Sequence, residues 1–376
     1  MFAILSLITV VLVSAYVGLF VMYRQAFISY PTIKIGQHGR RRQFSIIIAA
    51  RNEAQHIGAC IQSILNNDYD LDAIEILVMN DGSTDSTKLI ATQFPHVRVI
   101  DVPDPPATDF KAYKKWAIHN GVLESQYDTI ICIDADVLVQ RHWLSSYNSY
   151  YERLKPQLIL GPVIYRDMEG MLSQFQLIDF ATMQGITIAV NGLNWGRMGN
   201  GANLSFLKEA YIDVDGFDGS WHQASGDDYT LIQKFSKVNY DVWFLKHPEA
   251  IVLTFPQPNW RAFLQQRIRW ASKSGKNDDH RITLTLVLVY LLNVSLMALL
   301  IYGLVKGDWM FLVFYACMTF IKFFIEAYFT HHVFAFYGLF YKKLRLLLFQ
   351  PIHQLYICVA GFMGWFGHFE WKQRKI

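Results

Sequence analysis

The chain has 376 residues, of which 52% are hydrophobic and 15% aromatic, and its formal net charge is +3. That apolar content and the positive mean hydropathy exceed what a soluble domain ordinarily carries. The near-balanced charge argues against nucleic acid as a partner. Cys60, Cys132, Cys317 and Cys358 stand far apart, with no C-x-x-C pair. This argues against a disulfide framework or a zinc site, and fits a reducing compartment.

Residues 1–23 carry no charged side chain, enough to cross a hydrocarbon core as a helix. A signal peptide would need a basic stretch before the apolar run and a small-residue cleavage site after it. Neither is evident, so the segment reads as a retained N-terminal anchor. Arg24, Lys34, Arg40, Arg41 and Arg42 follow it and predict a cytoplasmic middle region.

From Gln43 to about Lys276, short β-rich runs alternate with helical stretches, as in βαβ units. Phe44–Ala50 reads as a strand buried on both faces, followed by Arg51-Asn52-Glu53 and a helix through Ile57, Cys60, Ile61, Ile64 and Leu65. A second strand, Ile74–Met79, runs into Asn80–Thr87, a turn rich in capping residues. A third run, Val97–Val102, precedes a loop from Pro103 to Pro106 and a helix from Lys111 to Leu123.

Next comes Ile130-Ile131-Cys132-Ile133-Asp134-Ala135-Asp136. Strict alternation points both carboxylates the same way, at the sheet edge where open α/β folds bind ligands. Such oxygen ligands suit a hard divalent cation that completes its coordination with substrate phosphates. An Asp-rich turn is the plain alternative. Strand ends at Arg51–Glu53, Asn80–Asp85 and Asp134–Asp136 would gather at one edge. There Asp81 suits a base N–H and the capping groups suit phosphate. G-x-G-x-x-G and P-loop motifs are absent. The combination points to a nucleotide diphosphate held by a metal.

Asn259–Trp270 reads as an amphipathic helix with Trp and Arg flanking an apolar face, the pattern of a helix lying in a membrane interface. Ile282–Val305, Trp309–Thr330 and Leu346–Phe369 are three further candidate spans. Lys322 and Glu326 sit four apart, so they either neutralise one another or snorkel near the interface. Four spans would leave the tail outside, yet it holds Lys372, Arg374 and Lys375, so either one candidate is re-entrant or interfacial, or the tail violates the charge rule.

On these residues the chain resembles the membrane-anchored family 2 glycosyltransferases. Phe44–Glu53 resembles the family's opening strand, and Met79–Asp85 its nucleotide turn, with Asn80 standing before Asp81. Lys114-Lys115-Trp116-Ala117-Ile118 resembles the lysine-containing helix, although His119 stands where Asn is usual. Asp134-Ala135-Asp136 matches the metal motif, and Gly199–Phe206 resembles the loop lining the acceptor side. Gly226-Asp227-Asp228 resembles the acidic pair that holds the catalytic base, with Asp227 in place of Glu. Gln266-Arg267-Ile268-Arg269-Trp270 matches Q-x-x-R-W in full.

The resemblance implies an α/β fold of the GT-A type over 43–276, including an interfacial helix over 258–272. Transmembrane helices over 1–23 and 282–369 and a basic tail over 370–376 complete the expected layout. It implies a hexosyltransferase that inverts the anomeric configuration, with Asp228 as base and Asp227 beside it. Donor contacts fall to Ala50, Arg51, Glu53, Asp81, Lys114, Asp134 and Arg269, and metal contacts, Mg²⁺ or Mn²⁺, to Asp134 and Asp136. Substrate contacts fall to Asn203, Gln266, Arg269 and Trp270. The expected partners are a nucleotide sugar, UDP- ahead of GDP-linked, and a lipid-linked or membrane-embedded acceptor. The expected location is the cytoplasmic (inner) membrane, multi-pass. A processive polysaccharide synthase, a non-catalytic membrane scaffold and a nucleotidyltransferase are the competing readings.

Overall fold

The computed structural model describes residues 2–36, 41–105, 110–223, 226–272, 279–339, 342–366, 370–371 and 374–375. Arg40, Pro106, Lys276, residues 367–369 and Lys372 from the readings above lie outside the described residues. The chain divides into two compact units. One is an α/β unit, Pro31–Arg166 with Arg197–Phe255; the other is helical, comprising Met1–Tyr30, Asp167–Gly196 and Pro256–Ile376. Residues 167–196 and 256–272, expected inside a continuous catalytic segment, therefore pack with the helices.

In chain order, α1 (Phe2–Ser29) precedes β1 (Phe44–Ala50), α2 (Ile57–Leu65), β2 (Ile74–Asn80), α3 (Thr87–Ala91) and β3 (Val97–Asp101). Then come α4 (Tyr113–Glu124), β4 (Thr129–Asp134), α5 (Trp143–Leu154), β5 (Leu158–Leu160) and β6 (Val163–Tyr165). Helix α6 (Met171–Leu193) is followed by β7 (Asn203–Leu207), α7 (Lys208–Asp213), α8 (Asp227–Lys237), β8 (Val242–Phe244) and β9 (Val252–Thr254). The chain continues through α9 (Trp260–Ala271), α10 (His280–Lys306), α11 (Trp309–Phe336), α12 (Lys343–Leu348) and α13 (Gln350–Phe366). The first strand has the expected bounds, β2 runs one residue further, and α4 starts two residues later than its sequence pattern predicts.

The α/β unit is organised by a seven-stranded sheet in the order β3-β2-β1-β4-β7-β5-β8. Strands β1, β2 and β4 run parallel, with Ile46 paired to Ile76 on one side and Ile131 on the other. Their β-branched runs are buried because helices cover both faces. Strand β7 is antiparallel to both β4 and β5, and β5 is parallel to β8. The C-terminal ends of β1, β2 and β4 thus share one edge, where loops carrying function collect. Helix α4 lies close on the sheet at Gly121, where a Cβ would come within 2.8 Å of Ile47 Cγ2.

In the helical unit α1, α10 and α11 are long and apolar enough to cross a membrane. Of the fourth candidate span, residues 346–366 lie in α12 and α13, separated at Phe349, and residues 367–369 fall outside the described residues. Pro351 lies in the first turn of α13, where a missing N–H costs nothing but a helix cannot continue from before it. The polar groups of α13 turn inward. Lys322 is fully buried and pairs with Glu326 at 2.6 Å, while Gln350 bonds to both and Tyr16 donates to Glu326. Neutralisation, not snorkelling, accommodates the pair. Helix α6, with no counterpart in the sequence reading, packs against α1 and α11. Its apolar run is interrupted by Gln174, Gln176, Asp179 and Gln184, all buried, which hides the helix from a hydropathy reading.

Candidate active site

The first wall comes from the β1 and β2 ends, which interlock. The amide of Asp81 donates to Ala50 O at 2.9 Å, and Arg51 donates to Asp81 O at 2.6 Å. Asn52 adopts a left-handed φ of 53°, a conformation Asn tolerates, and its side-chain oxygen accepts from Thr84 N at 2.8 Å. Glu53 N donates to Thr87 Oγ1 and Ala54 N to Asp85 Oδ2. Asn80 is buried and bonds Asp101 and Ser83 N, so it braces the turn while Asp81 remains partly exposed. Ala50 contributes through its carbonyl; its side chain is in the core.

Lys114 joins two acidic motifs that lie far apart in the sequence. Its ammonium lies 2.7 Å from Asp134 Oδ1 and 2.9 Å from Asp227 Oδ2. Burial works against the charge, but Asp134 and then Asp227 outweigh it and raise the lysine pKa above its ordinary range. Asp228, at the start of α8, accepts from Gly201 N at 3.2 Å and from Tyr229 N at 2.7 Å. Gly201 must be glycine here: a Cβ would sit 2.5 Å from Asp227 Oδ2 and 3.5 Å from Lys114 Nζ. The loop at 199–202 therefore closes directly on the acidic pair, a close approach that no spacing in the sequence announces.

Asp136 is half-buried and accepts from Thr254 Oγ1 at 3.3 Å. Asp134 and Asp136 at the end of β4 and Asp227 and Asp228 at the start of α8 are oxygen ligands of the kind that suits a divalent cation. Among the described residues no three His, Cys, Asp or Glu side chains gather at metal-binding distance. Two carboxylates with the remaining positions left to phosphate is the arrangement magnesium-like ions use. Cys60 Sγ donates to Asp134 O at 3.7 Å, and burial, followed by the charges of Asp136 and Asp134, pushes its thiol pKa up.

One expectation changes. Asn203 is fully buried, and its side chain bonds Trp143, Tyr147, Pro162 O and Ala250 O. With all its capacity used inside the core it braces the loop and has no access to substrate. His119, which stands where the family has Asn, bonds Tyr211 and stacks on Trp116, and burial lowers its pKa. Lys115, unassigned from sequence, is buried and donates to Thr230 Oγ1 and Ser220 O, tying α4 to α8.

Gln266, Arg269 and Trp270 belong to the helical unit, on α9, capped by Asn259 whose side chain accepts from Ala262 N. The apolar face of α9, expected in the membrane interface, is covered by protein. Phe263 and Ile268 cluster with Phe175, Tyr356 and Ala360 of α6 and α13. The three motif residues themselves are half-buried.

The family description "Glycosyl transferase family group 2" matches residues 129–341, more than half of the chain, and "Glycosyl transferase family 2" matches residues 45–210. A poly-beta-1,6-N-acetyl-D-glucosamine synthase of Staphylococcus epidermidis is 23% identical over 244 residues, 62% of this chain and 55% of that protein. A 4,4'-diaponeurosporenoate glycosyltransferase of Staphylococcus aureus (strain USA300) is 40% identical over 101 residues, 27% of this chain and 25% of that protein. The chain thus spans about half or less of the length of these curated relatives. The mannosyltransferase PcManGT from Pyrobaculum calidifontis, solved in complex with GDP-Man and Mn²⁺, superposes with a TM-score of 0.60 at 16% identity, covering 98% of this chain and 100% of that one. At that identity the likeness is one of fold, and the fold is GT-A. The chain belongs to the family 2 glycosyltransferases.

Proposed function

We propose that the chain is an inverting transferase that moves a hexose from a nucleoside diphosphate donor to a lipid-linked or membrane-embedded acceptor. The observation that carries this reading is the ammonium of Lys114 set between Asp134 and Asp227, which brings the D-x-D strand end and the Asp227-Asp228 pair into one site. Asp81 and Arg51 offer a carboxylate and a guanidinium for a nucleotide, with a uracil base ahead of guanine. Asp134 and Asp136 would hold Mg²⁺ or Mn²⁺, which when bound supplies positive charge to the departing diphosphate. Asp228 accepts the proton of the acceptor hydroxyl as that oxygen bonds to the anomeric carbon. The bond from that carbon to the phosphate oxygen breaks, and the nucleoside diphosphate leaves with the electron pair. Gly201 N holds Asp228 in place, and Lys114 ties Asp134 to Asp227. Diphosphate and acceptor contacts are assigned to Arg269, Gln266 and Trp270.

Three spans also reconcile the charge pattern. With residues 24–42 on the cytoplasmic side, α10 and α11 return the chain to that side, where Lys342, Arg345 and the tail lysines agree with the positive-inside rule. The α/β unit then faces the cytoplasm. A processive synthase is the second reading, favoured by the Staphylococcus epidermidis relative.

The test is nucleotide release from UDP- and GDP-sugars by detergent-purified protein with Mn²⁺ or Mg²⁺, alongside Asp136→Ala and Asp228→Asn. Metal-dependent turnover of one donor, lost in both variants, is the expected result. Equal rates in wild type and variants would refute the assignments. Product length separates single addition from polymerisation.

A further inference from the structure

The second residue of the Q-x-x-R-W motif, which the motif itself leaves open, is a buried arginine of α9 paired to α6. Arg267 and Asp179 are each 3% exposed, and the guanidinium donates to Asp179 Oδ2 at 2.7 Å. The other carboxylate oxygen accepts from Tyr356 Oη at 2.7 Å, with His353 Nε2 at 3.7 Å from the same atom. The guanidinium carbon stands 4.4 Å from the Trp270 ring centre and 4.8 Å from that of Phe263. Phe180, next to Asp179 on α6, places its ring centre 6.0 Å from Trp270. Consecutive residues of α6 thus hold consecutive layers: the carboxylate holds the guanidinium, and the phenyl ring meets the indole.

We infer that Asp179 is a positioning residue for sugar transfer, setting the indole of Trp270 through the guanidinium of Arg267. This rests on the reading of Trp270 as a substrate residue. A buried ion pair adds little net stability compared with well-packed apolar side chains, so packing α9 against α6 does not call for one. What an ion pair adds is direction. The guanidinium is a rigid plane that stacks on aromatic faces while its N–H groups are held, and neither Lys nor Met reproduces both. Tyr356 holds the carboxylate from α13, so three helices determine where one indole lies. The sequence signal is Asp179 itself, an acidic residue inside the apolar run from Phe175 to Val190.

The experiment is fluorine NMR on the full-length protein labelled with fluorotryptophan in detergent, with the Trp270 line identified by its loss in Trp270→Phe. The variants are Asp179→Asn/Arg267→Gln, which leaves no buried charge unpaired, and Arg267→Lys, which retains the charge without the plane. In both, the Trp270 line should move and broaden while the line of Trp143 in the α/β unit stays. UDP affinity should be unchanged, and nucleotide release from the donor that wild type turns over should fall about tenfold or more. A Trp270 line unmoved in both variants, or activity lost only in proportion to unfolded protein, overturns the inference. Turnover by Trp270→Phe, measured in parallel, keeps the two readings apart: if that variant retains wild-type turnover, the reading of Trp270 as a substrate residue fails, whatever the Trp270 line reports in the other variants.

Discussion

At the scale of single residues, the site depends on what cannot be larger and what cannot be removed. Gly201→Ala would drive a methyl against the Asp227 carboxylate and shift it from Lys114. Transfer should fall by about two orders of magnitude, with the melting temperature nearly unchanged. Steady-state rates beside a thermal melt check this. Asn203→Ala should do the opposite. Stripping the brace leaves Trp143 and Tyr147 donors and two carbonyls without their buried partner, at a cost of about 3 kcal/mol in a denaturant titration. Lys246 carries a pH dependence: burial lowers its pKa from 10.5 to about 8. The unfolded chain binds the extra proton between those values, so this lysine destabilises the folded protein below pH 8 and is relieved as pH rises towards 10.5. Lys246→Met should therefore gain melting temperature relative to wild type at pH 7, and the gain should shrink by pH 10. An equal difference at both pH values would contradict it.

At the scale of elements, the strands and the helices differ in how far the sequence exposes them. Strands β1, β2 and β4 are legible as unbroken β-branched runs, because a strand buried on both faces has no polar alternation to obscure it. Helix α6 is not legible, because its buried glutamines and Asp179 are satisfied by groups far away in sequence, such as Gln257 and Arg267. For α9 the amphipathic pattern is plain, but a pattern names an apolar face and not what covers it. Helix α4 rests on the sheet through Gly121. Gly121→Val would force the helix away from Ile47 and Met79, destabilising by about 2 kcal/mol. Because Lys114 rides on the same helix, nucleotide-sugar turnover should fall in the fraction that remains folded. Retained activity in a folded variant would show that α4 relaxes without moving its lysine.

At the scale of the whole molecule, membrane topology follows from counting spans. Among the described residues three helices pass the length and hydropathy requirements, and α12 and α13 are separated at Phe349. In a background lacking Cys317 and Cys358, Asp308→Cys should react with an impermeant maleimide on intact cells, and Lys375→Cys only after lysis. Labelling of the tail from outside would restore the fourth span. The buried Lys322–Glu326–Gln350 group explains why the sequence leaves this open: the polar residues that disfavour α13 as a span are the ones that hold it against α11.

The sequence by itself determined the family resemblance, strands β1 to β4 and the acidic residues that follow β2 and β4, since local burial pattern and motif order are written along the chain. The joining of Asp134 to Asp227 through Lys114, the withdrawal of Asn203 from the surface and the pairing of Asp179 with Arg267 were decided only by tertiary structure. Each depends on distances between residues tens of positions or more apart, and a one-dimensional pattern carries no information about which buried charge will find which partner.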